Sequence, residues 1–423
     1  MAGLAGMVRR NLEATLQQLL REEPVLILNG ARTVGKSTLV RECAKAMGVQ
    51  VLDLDDVQTR AAVAADPALF VSGTPEPVCI DEFQQVLPIL DAIKAELNTD
   101  LHAGRYLLTG STRYAALPAA SQSLTGRAHL LTMWPLSHGE LLGVRETFLD
   151  TLMSDPAQLV RAAPSGTTRQ DYEAMVLSGG FPLAIARDNP VSRGRWFTDF
   201  VTMVVERDVL EIRKVRQRNA LPLILRRLAG QSAQLLNASE VASRMEMDAK
   251  TAGDFIQLLE SVFLVHKLEA YGRTLSARVN RSPKVHLVDS GLAAHLLGVT
   301  ASRLSQRKPT TLTEFGHILE TFAVNEVLKQ GGWSSSPVRF SHFRTKDHHE
   351  VDLVCESDDG RVAGVEVKAA GSVANTDFRG LRMLKDKLGD DFIGGVVLYL
   401  GRRSYTKEER LHVLPMDSLW TPA

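Results

Sequence analysis

A chain of 423 residues is about three times a typical domain length, so several folded units are expected. Its 44% hydrophobic and 23% charged content excludes a disordered or fibrous chain, and 49 Lys+Arg against 49 Asp+Glu removes global charge as an argument for a polyanionic partner. Cys43, Cys79 and Cys355 stand far apart without metal-ligand spacing, so neither disulfide nor zinc is expected, and with no apolar run near ~20 residues a cytoplasmic chain is the default.

In chain order, the opening MAGLAGMVRRNLEATLQQLL reads as a short amphipathic helix. Val25–Leu28, Val51–Leu54, Val78–Ile80 and Tyr106–Thr109 are strand-like, with amphipathic stretches between them, which predicts a parallel α/β sheet over residues 1–140. Residues 141–235 are mostly helical by pattern, broken by SDPAQLVRAAPSGTT and by the turn SGGFP, and predict a lid or connector. Over 236–300, ASEVASRM, a polar turn, TAGDFIQLLESVF and the strand-like LVHKLEAY predict a winged helix-turn-helix. Residues 301–423 open with the amphipathic FGHILETFAVNEVLK and pass into strands around VDLVC, VAGVEVKA and IGGVVLYL, a second α/β unit.

After the strand Val25–Leu28 comes Gly30-Ala31-Arg32-Thr33-Val34-Gly35-Lys36-Ser37, with Thr38 opening the helical run that follows. This is the Walker A spacing between strand and helix: glycines let backbone amides wrap phosphate oxygens, Lys36 reaches the terminal phosphates, and the Ser37 hydroxyl suits magnesium. ATP and Mg2+ are the expected ligands. The strand Val78–Ile80 runs into Asp81 and Glu82, and the pair divides into a magnesium-side acid, Asp81, and a general base, Glu82. Tyr106–Thr109 leads into Gly110-Ser111, which supplies small hydroxyls at the mouth of the same sheet; ordinary turn hydroxyls fit the same text. Arg127 is the candidate cation for charge developing in phosphoryl transfer, in cis or across a subunit boundary.

With these motifs, IDEFQ, LLTGS, Gly126-Arg127 and PLSHGEL, the first part resembles the bacterial and archaeal AAA+ ATPases of the AAA_14 group. GGFP, the stretch Arg195 to Val209 and VDSGLA resemble the DUF4143 domain that usually follows. The resemblance implies an AAA+ fold, a ring in which a neighbour's arginine completes each site, most simply a hexamer, and a DNA-associated role. Similarity to AAA+ ATPases also implies that Ser111, or else Thr109, senses the terminal phosphate.

Near the end, Asp352 at the start of one strand and Glu366 and Lys368 two apart on the next resemble the skeleton of the PD-(D/E)xK nucleases, with Glu320 on the preceding helix as the further acid. Residues two apart in a strand share a face, and two carboxylates with a lysine suit magnesium-assisted hydrolysis. Val351 stands where that pattern has proline, and an intact triad does not by itself imply cutting. Arg244, Lys250, Lys267, Arg273, Arg278, Arg281 and Lys284 place cations around the expected recognition helix and wing, as phosphate contacts or as a solvated face. The leading expectation is an ATP-hydrolysing oligomer that remodels or moves along duplex or branched DNA, with a nuclease-like domain. The alternative is a nucleotide-controlled switch that binds a protein partner.

Overall fold

Three sheets organise the chain in the computed structural model, which describes residues 8–113, 124–205, 209, 220–243, 245, 247–272 and 282–422. Helix α1 (Leu12–Leu19) precedes β1 (Val25–Asn29), α2 (Lys36–Met47), β2 (Val51–Asp53), β3 (Val78–Asp81), α3 (Ile89–Thr99), β4 (Tyr106–Gly110) and β5 (Ala128–Thr132). The strands form one parallel sheet in the order β2-β3-β4-β1-β5. Strand β1 lies inside the sheet with every residue buried, which is why its text, VLILN, is an unbroken apolar run and not an alternation. Its side chains still divide by the pleat: Leu26 and Leu28 join one core with Cys79 and Leu107, whereas Val25 and Ile27 join a second with Ile80 and Leu108. Strand β5 was not foreseen, being a short edge strand that is only partly buried. Because β4 is inserted between β1 and β3, the segments leaving all three strands meet at one edge of the sheet, the edge where α/β proteins bind ligands.

The helical connector contains α4 (His138–Leu142), α5 (Phe148–Ser154), α6 (Arg169–Ser178) and α7 (Pro190–Met203). Two of its motifs are fasteners. Ser137 and Glu140 close a capping box on α4, and the Glu140 carboxylate also accepts from Arg10 Nε at 2.9 Å and the Asn11 amide at 2.8 Å, tying α1 to the connector. The Gly180 amide donates to Asp289 at 2.5 Å while its carbonyl accepts from the Leu136 amide at 2.8 Å, so GGFP, VDSGLA and the exit of β5 meet at one point. A Cβ on Gly180 would fall 2.3 Å from the Leu136 carbonyl oxygen, which explains the glycine.

A second unit is built from α8 (Ala220–Gly230), β6 (Gln234–Leu235), α9 (Ala238–Ala242), α10 (Ala249–Ser261), β7 (Val265–Leu268) and β8 (Lys284–Leu287), with an antiparallel sheet ordered β6-β8-β7. Asn237 and Asp248 cap α9 and α10 by accepting amides three residues on. Since β6 pairs with β8, the sheet of this unit takes in Gln234 and Leu235.

After α11 (Ser290–Leu297), the long α12 (Pro309–Gln330) leads into β9 (Val338–Arg344), β10 (Glu350–Ser357), β11 (Val362–Lys368), α13 (Arg379–Leu388), β12 (Phe392–Tyr399), β13 (Tyr405–Glu408) and β14 (Leu411–Pro415). The sheet order is β13-β14-β12-β11-β10-β9: β9, β10 and β11 form an antiparallel meander, and α13 crosses over to bring β12 parallel to β11. Helix α12 is buried along most of its length, and its Ile318, Leu319 and Phe322 belong to the same core as Leu26 of β1 and Val365 of β11. The hairpin unit is also stitched to this sheet, through Tyr271 N–H to the His342 carbonyl at 2.6 Å and His342 N–H to the Glu269 carbonyl at 2.9 Å. Among the described residues no helix is long and apolar enough to cross a membrane.

Candidate functional site

The loop after β1 turns on three residues with positive φ: Gly30 at 154°, Thr33 at 63° and Gly35 at 102°. A Cβ at Gly30 would lie 2.2 Å from the Met133 carbonyl oxygen, so only glycine lets the loop close over β5. Gly35 then stands immediately before α2, whose first turn holds Lys36, Ser37 and Thr38. Lys36 is 4% exposed, and its ammonium donates to the carbonyls of Gly30 and Ala31, at 2.9 Å each, inside the turn that Ala31, Arg32, Thr33 and Val34 describe. The first-turn amides and dipole of α2 add positive potential at the same place. Arg10, 9% exposed, holds the loop from behind through Nη1 to the Val34 carbonyl at 2.8 Å.

Opposite this loop, β3 ends at Asp81, and the next residue, Glu82, has φ 54°. A left-handed conformation at a glutamate costs on the order of 1 kcal/mol and has to be held by its surroundings. The holding groups are on β4 and just beyond it. Thr109, fully buried, donates its hydroxyl to Asp81 and accepts the Glu82 amide at 3.1 Å. The Glu82 carboxylate accepts from Ser111 Oγ at 3.2 Å and from Gln84 Nε2, which itself reaches Ser111 at 3.1 Å. Sequence reading missed Gln84. Its signal was the polar residue two places beyond Glu82 in IDEFQ, where the chain makes a single 3-10 turn and returns toward the acid.

Arg127 does not join this group. Ala128 is in register with Val25, at the start of β1, so Arg127 lies at the end of the sheet opposite the phosphate loop, more than ~13 Å away along the strands. There it donates to Asn98 on α3 at 2.7 Å. The expectation that it serves the site in cis is therefore corrected. Beside Gly35 and Thr38 opens a cavity of about 430 Å³ walled by Arg9, Arg10 and Glu13 at the N-terminal helix and by Pro182 and Leu183 of the connector, a feature with no signal in the sequence.

The cations expected around helix α10 divide. Arg244, Arg273, Arg278 and Arg281 lie outside the described residues. Lys250 is exposed at the start of α10, and Lys267 is paired with Glu260 at 3.0 Å. Lys284 is not on the surface at all, which corrects its reading as a phosphate contact. Its side chain is 1% exposed, and its ammonium lies 2.6 Å from Glu320, 2.6 Å from Glu350 and 3.0 Å from Asp352.

That contact places Lys284 within the C-terminal carboxylate group. Glu320 of α12, Asp352 of β10, and Glu366 and Lys368 of β11 line one cavity of about 780 Å³, so the four residues singled out from sequence do converge. Lys368 binds Glu366 at 2.6 Å, and the Val367 amide donates to Asp352 at 2.9 Å. Burial pushes Asp352 up, but Lys284 and Lys368 outweigh it and hold the carboxyl below the usual range. Burial and Asp352 push Glu320 well up and Glu366 up to about 8. The other Glu366 oxygen, Oε2, is buried without a hydrogen-bond partner. A divalent ion shared by Glu320 and Asp352 does not fit this arrangement, because Lys284 already binds both, and no group of three His, Cys, Asp or Glu among the described residues is disposed to hold a metal.

Three family models match the chain. Residues 22–142 match the AAA domain AAA_14, residues 169–303 match a domain of unknown function, DUF8612, and residues 315–419 match another, DUF4143. The part of the chain that carries the phosphate loop is an AAA-type ATPase domain. GGFP, the stretch Arg195 to Val209 and VDSGLA all fall within the DUF8612 match, so their expected assignment to DUF4143 is corrected. An uncharacterised protein of Mycobacterium tuberculosis is 25% identical over 98% of this chain and 85% of its own length. One from Haemophilus influenzae is 24% identical over 75% and 78%. Among solved structures, the Walker-type ATPase of Pyrococcus abyssi is 14% identical, covering 69% of this chain and 96% of that one, with a TM-score of 0.38. The Holliday junction branch migration motor RuvB of Thermotoga maritima is 15% identical over 61% and 88%, with a TM-score of 0.28.

Proposed function

We propose that this chain is a magnesium-dependent ATPase that uses hydrolysis to remodel or move along DNA, and that its C-terminal nuclease-like domain grips the nucleic acid. The observation that carries the ATPase half is the meeting of Lys36, Asp81, Glu82 and Ser111 at one edge of the parallel sheet. Gly30 to Thr38 would cradle the phosphates, with the base and sugar in the cavity beside Gly35. The Ser37 hydroxyl and Asp81 carboxylate are a hard-oxygen pair of the kind magnesium prefers, and the ion would neutralise phosphate charge. Glu82 is the group to take a proton from the attacking water, and Ser111, bonded to it, is placed to report the terminal phosphate to the base. Arg127, facing away from its own site, is free of this role only in cis, and a neighbour's site in a hexameric ring is where it would act.

For DNA, we read α8 to β8 as a winged helix: Lys250 is exposed at the start of α10, and the sequence between β7 and β8 includes Arg273, Arg278 and Arg281. Cations of this density in the sequence would neutralise phosphates, with affinity falling steeply as salt rises. The test is ATP hydrolysis with magnesium or manganese on single-stranded, duplex and four-way DNA. Stimulation that fades with salt supports the reading. The second reading, a nucleotide-controlled switch for a protein partner in a cytoplasmic setting, is favoured by the internal pairing of Lys267 and Lys284, and absence of DNA binding at low salt would select it.

A further inference from the structure

We infer that Lys284 is the resident cation of the C-terminal carboxylate site, standing where a divalent ion would otherwise be held and bolting the β7–β8 hairpin to α12 and β10. Three carboxylates from two separate elements, Glu320 on α12 and Glu350 and Asp352 on β10, converge on one ammonium supplied by a third, at 2.6, 2.6 and 3.0 Å. An ammonium is a compact cation with three donors, and here it donates to Glu320 and Asp352 and forms an ion pair with Glu350. Such a cluster is costly to build, because Lys284, Asp352, Glu366 and Glu320 are largely withdrawn from water, and it persists only where the buried charges find partners. The pairing is local: Lys368 binds Glu366, Lys284 binds Glu320 and Asp352, and Glu350 is shared with Arg344 at 3.3 Å, so four acids share three cations.

The placement is not that of a side chain that happened to fold inward. Strand β8 is the middle strand of its sheet, and the turnings on either side are fixed: Gln234 pairs with Val285, Lys267 also pairs with Val285, and Leu268 pairs with Lys284. The neighbouring backbone is tied to β9 through Tyr271 and His342. Hairpin register therefore delivers Lys284 to the acids as firmly as β11 delivers Lys368. Glu366 Oε2, buried and without a hydrogen-bond partner at the floor of the cavity, marks where the acid set keeps an unused ligand atom while its partners are taken by lysine. While the hairpin is docked, the site holds no divalent ion, and its role is to join two units.

The inference rests on reading Glu320, Asp352 and Glu366 as a nuclease-type carboxylate set, but its readout is ion binding, so a failure to cut DNA leaves it standing. Manganese bound to the full, nucleotide-free chain is measured by electron paramagnetic resonance for the wild type, Asp352→Asn, Lys284→Gln and Lys284→Gln with Asp352→Asn. The wild type and Asp352→Asn should bind manganese alike. Lys284→Gln should gain one ion at least tenfold tighter than the wild type binds, and adding Asp352→Asn should remove it. Tight binding in the wild type that Asp352→Asn abolishes overturns the inference, and so does a folded Lys284→Gln that gains no ion. Should Lys284→Gln fail to fold, Lys284→Arg keeps the charge: it should fold and stay as blind to manganese as the wild type, and an Asp352-dependent ion in that variant would sink the idea.

Discussion

Two buried lysines sit at the two chemical centres of this chain, and they are held in opposite ways. Lys36 rests on the carbonyls of its own loop, and Lys284 rests on carboxylates from α12 and β10. A carbonyl is a dipole whose hold on an ammonium a phosphate oxygen can replace, and the loop amides of α2 favour that exchange. A carboxylate can carry full charge, and a buried lysine clasped by three acids has little to gain from a ligand. The same residue type therefore makes a receptor in one region and a rivet in the other, and the difference lies wholly in what faces it.

The largest effect should come from removing the receptor lysine. Lys36→Ala should lower ATP hydrolysis by at least about 10³-fold, roughly 4 kcal/mol of transition-state stabilisation, and weaken nucleotide binding. Glu82→Gln should match it in turnover yet retain bound ATP, since the shape and Asp81 remain; steady-state hydrolysis with a filter-binding assay separates the two. Wild-type turnover in either variant breaks the assignment.

Removing the rivet should instead be read in stability. Lys284→Ala leaves the largely buried Glu320 and Asp352 without their cation, at a cost of about 3–4 kcal/mol, while nucleotide affinity stays within twofold. Hydrogen exchange should show β7 and β8 opening first, and an unchanged melting curve would show that the cluster stabilises nothing.

An acid titration sharpens the same contrast. Burial lowers His266 from 6.5 to about 4, against its bond to Asn325 at 2.8 Å. The unfolded chain therefore binds this proton more readily than the folded one, so the stability is fully present above pH 6.5 and is lost as pH falls toward 4. The loss amounts to about 3 kcal/mol over that window. His266→Phe should flatten the curve there in urea melts followed by tryptophan fluorescence, whereas an unchanged slope assigns the acid sensitivity elsewhere.

The smallest expected effect is at Gln84. Its amide holds both Glu82 and Ser111, so Gln84→Ala should change turnover by about tenfold with little change in nucleotide affinity, a difference of roughly 1.4 kcal/mol at the barrier. If affinity falls and turnover holds, Gln84 binds nucleotide and does not position the base.

Much of this was written locally. The strands at Val25, Val78 and Tyr106 were legible because a buried parallel sheet demands apolar runs, and the phosphate loop because only glycine tolerates Gly30 against Met133. The C-terminal acids were legible because a two-residue spacing on a strand fixes a shared face. Local residue order set which side chains could do chemistry and on which element each sits. Which of them face one another was decided by the tertiary structure alone. Arg127 was carried to the far end of its own sheet by the register of β5 on β1, and Lys284, a cation in a basic stretch when read along the chain, was carried into a nest of carboxylates 36 and 68 residues away. Charge is a property of a residue, but the field it meets is set by distances through space, and those exist only once the sheets have packed on α12.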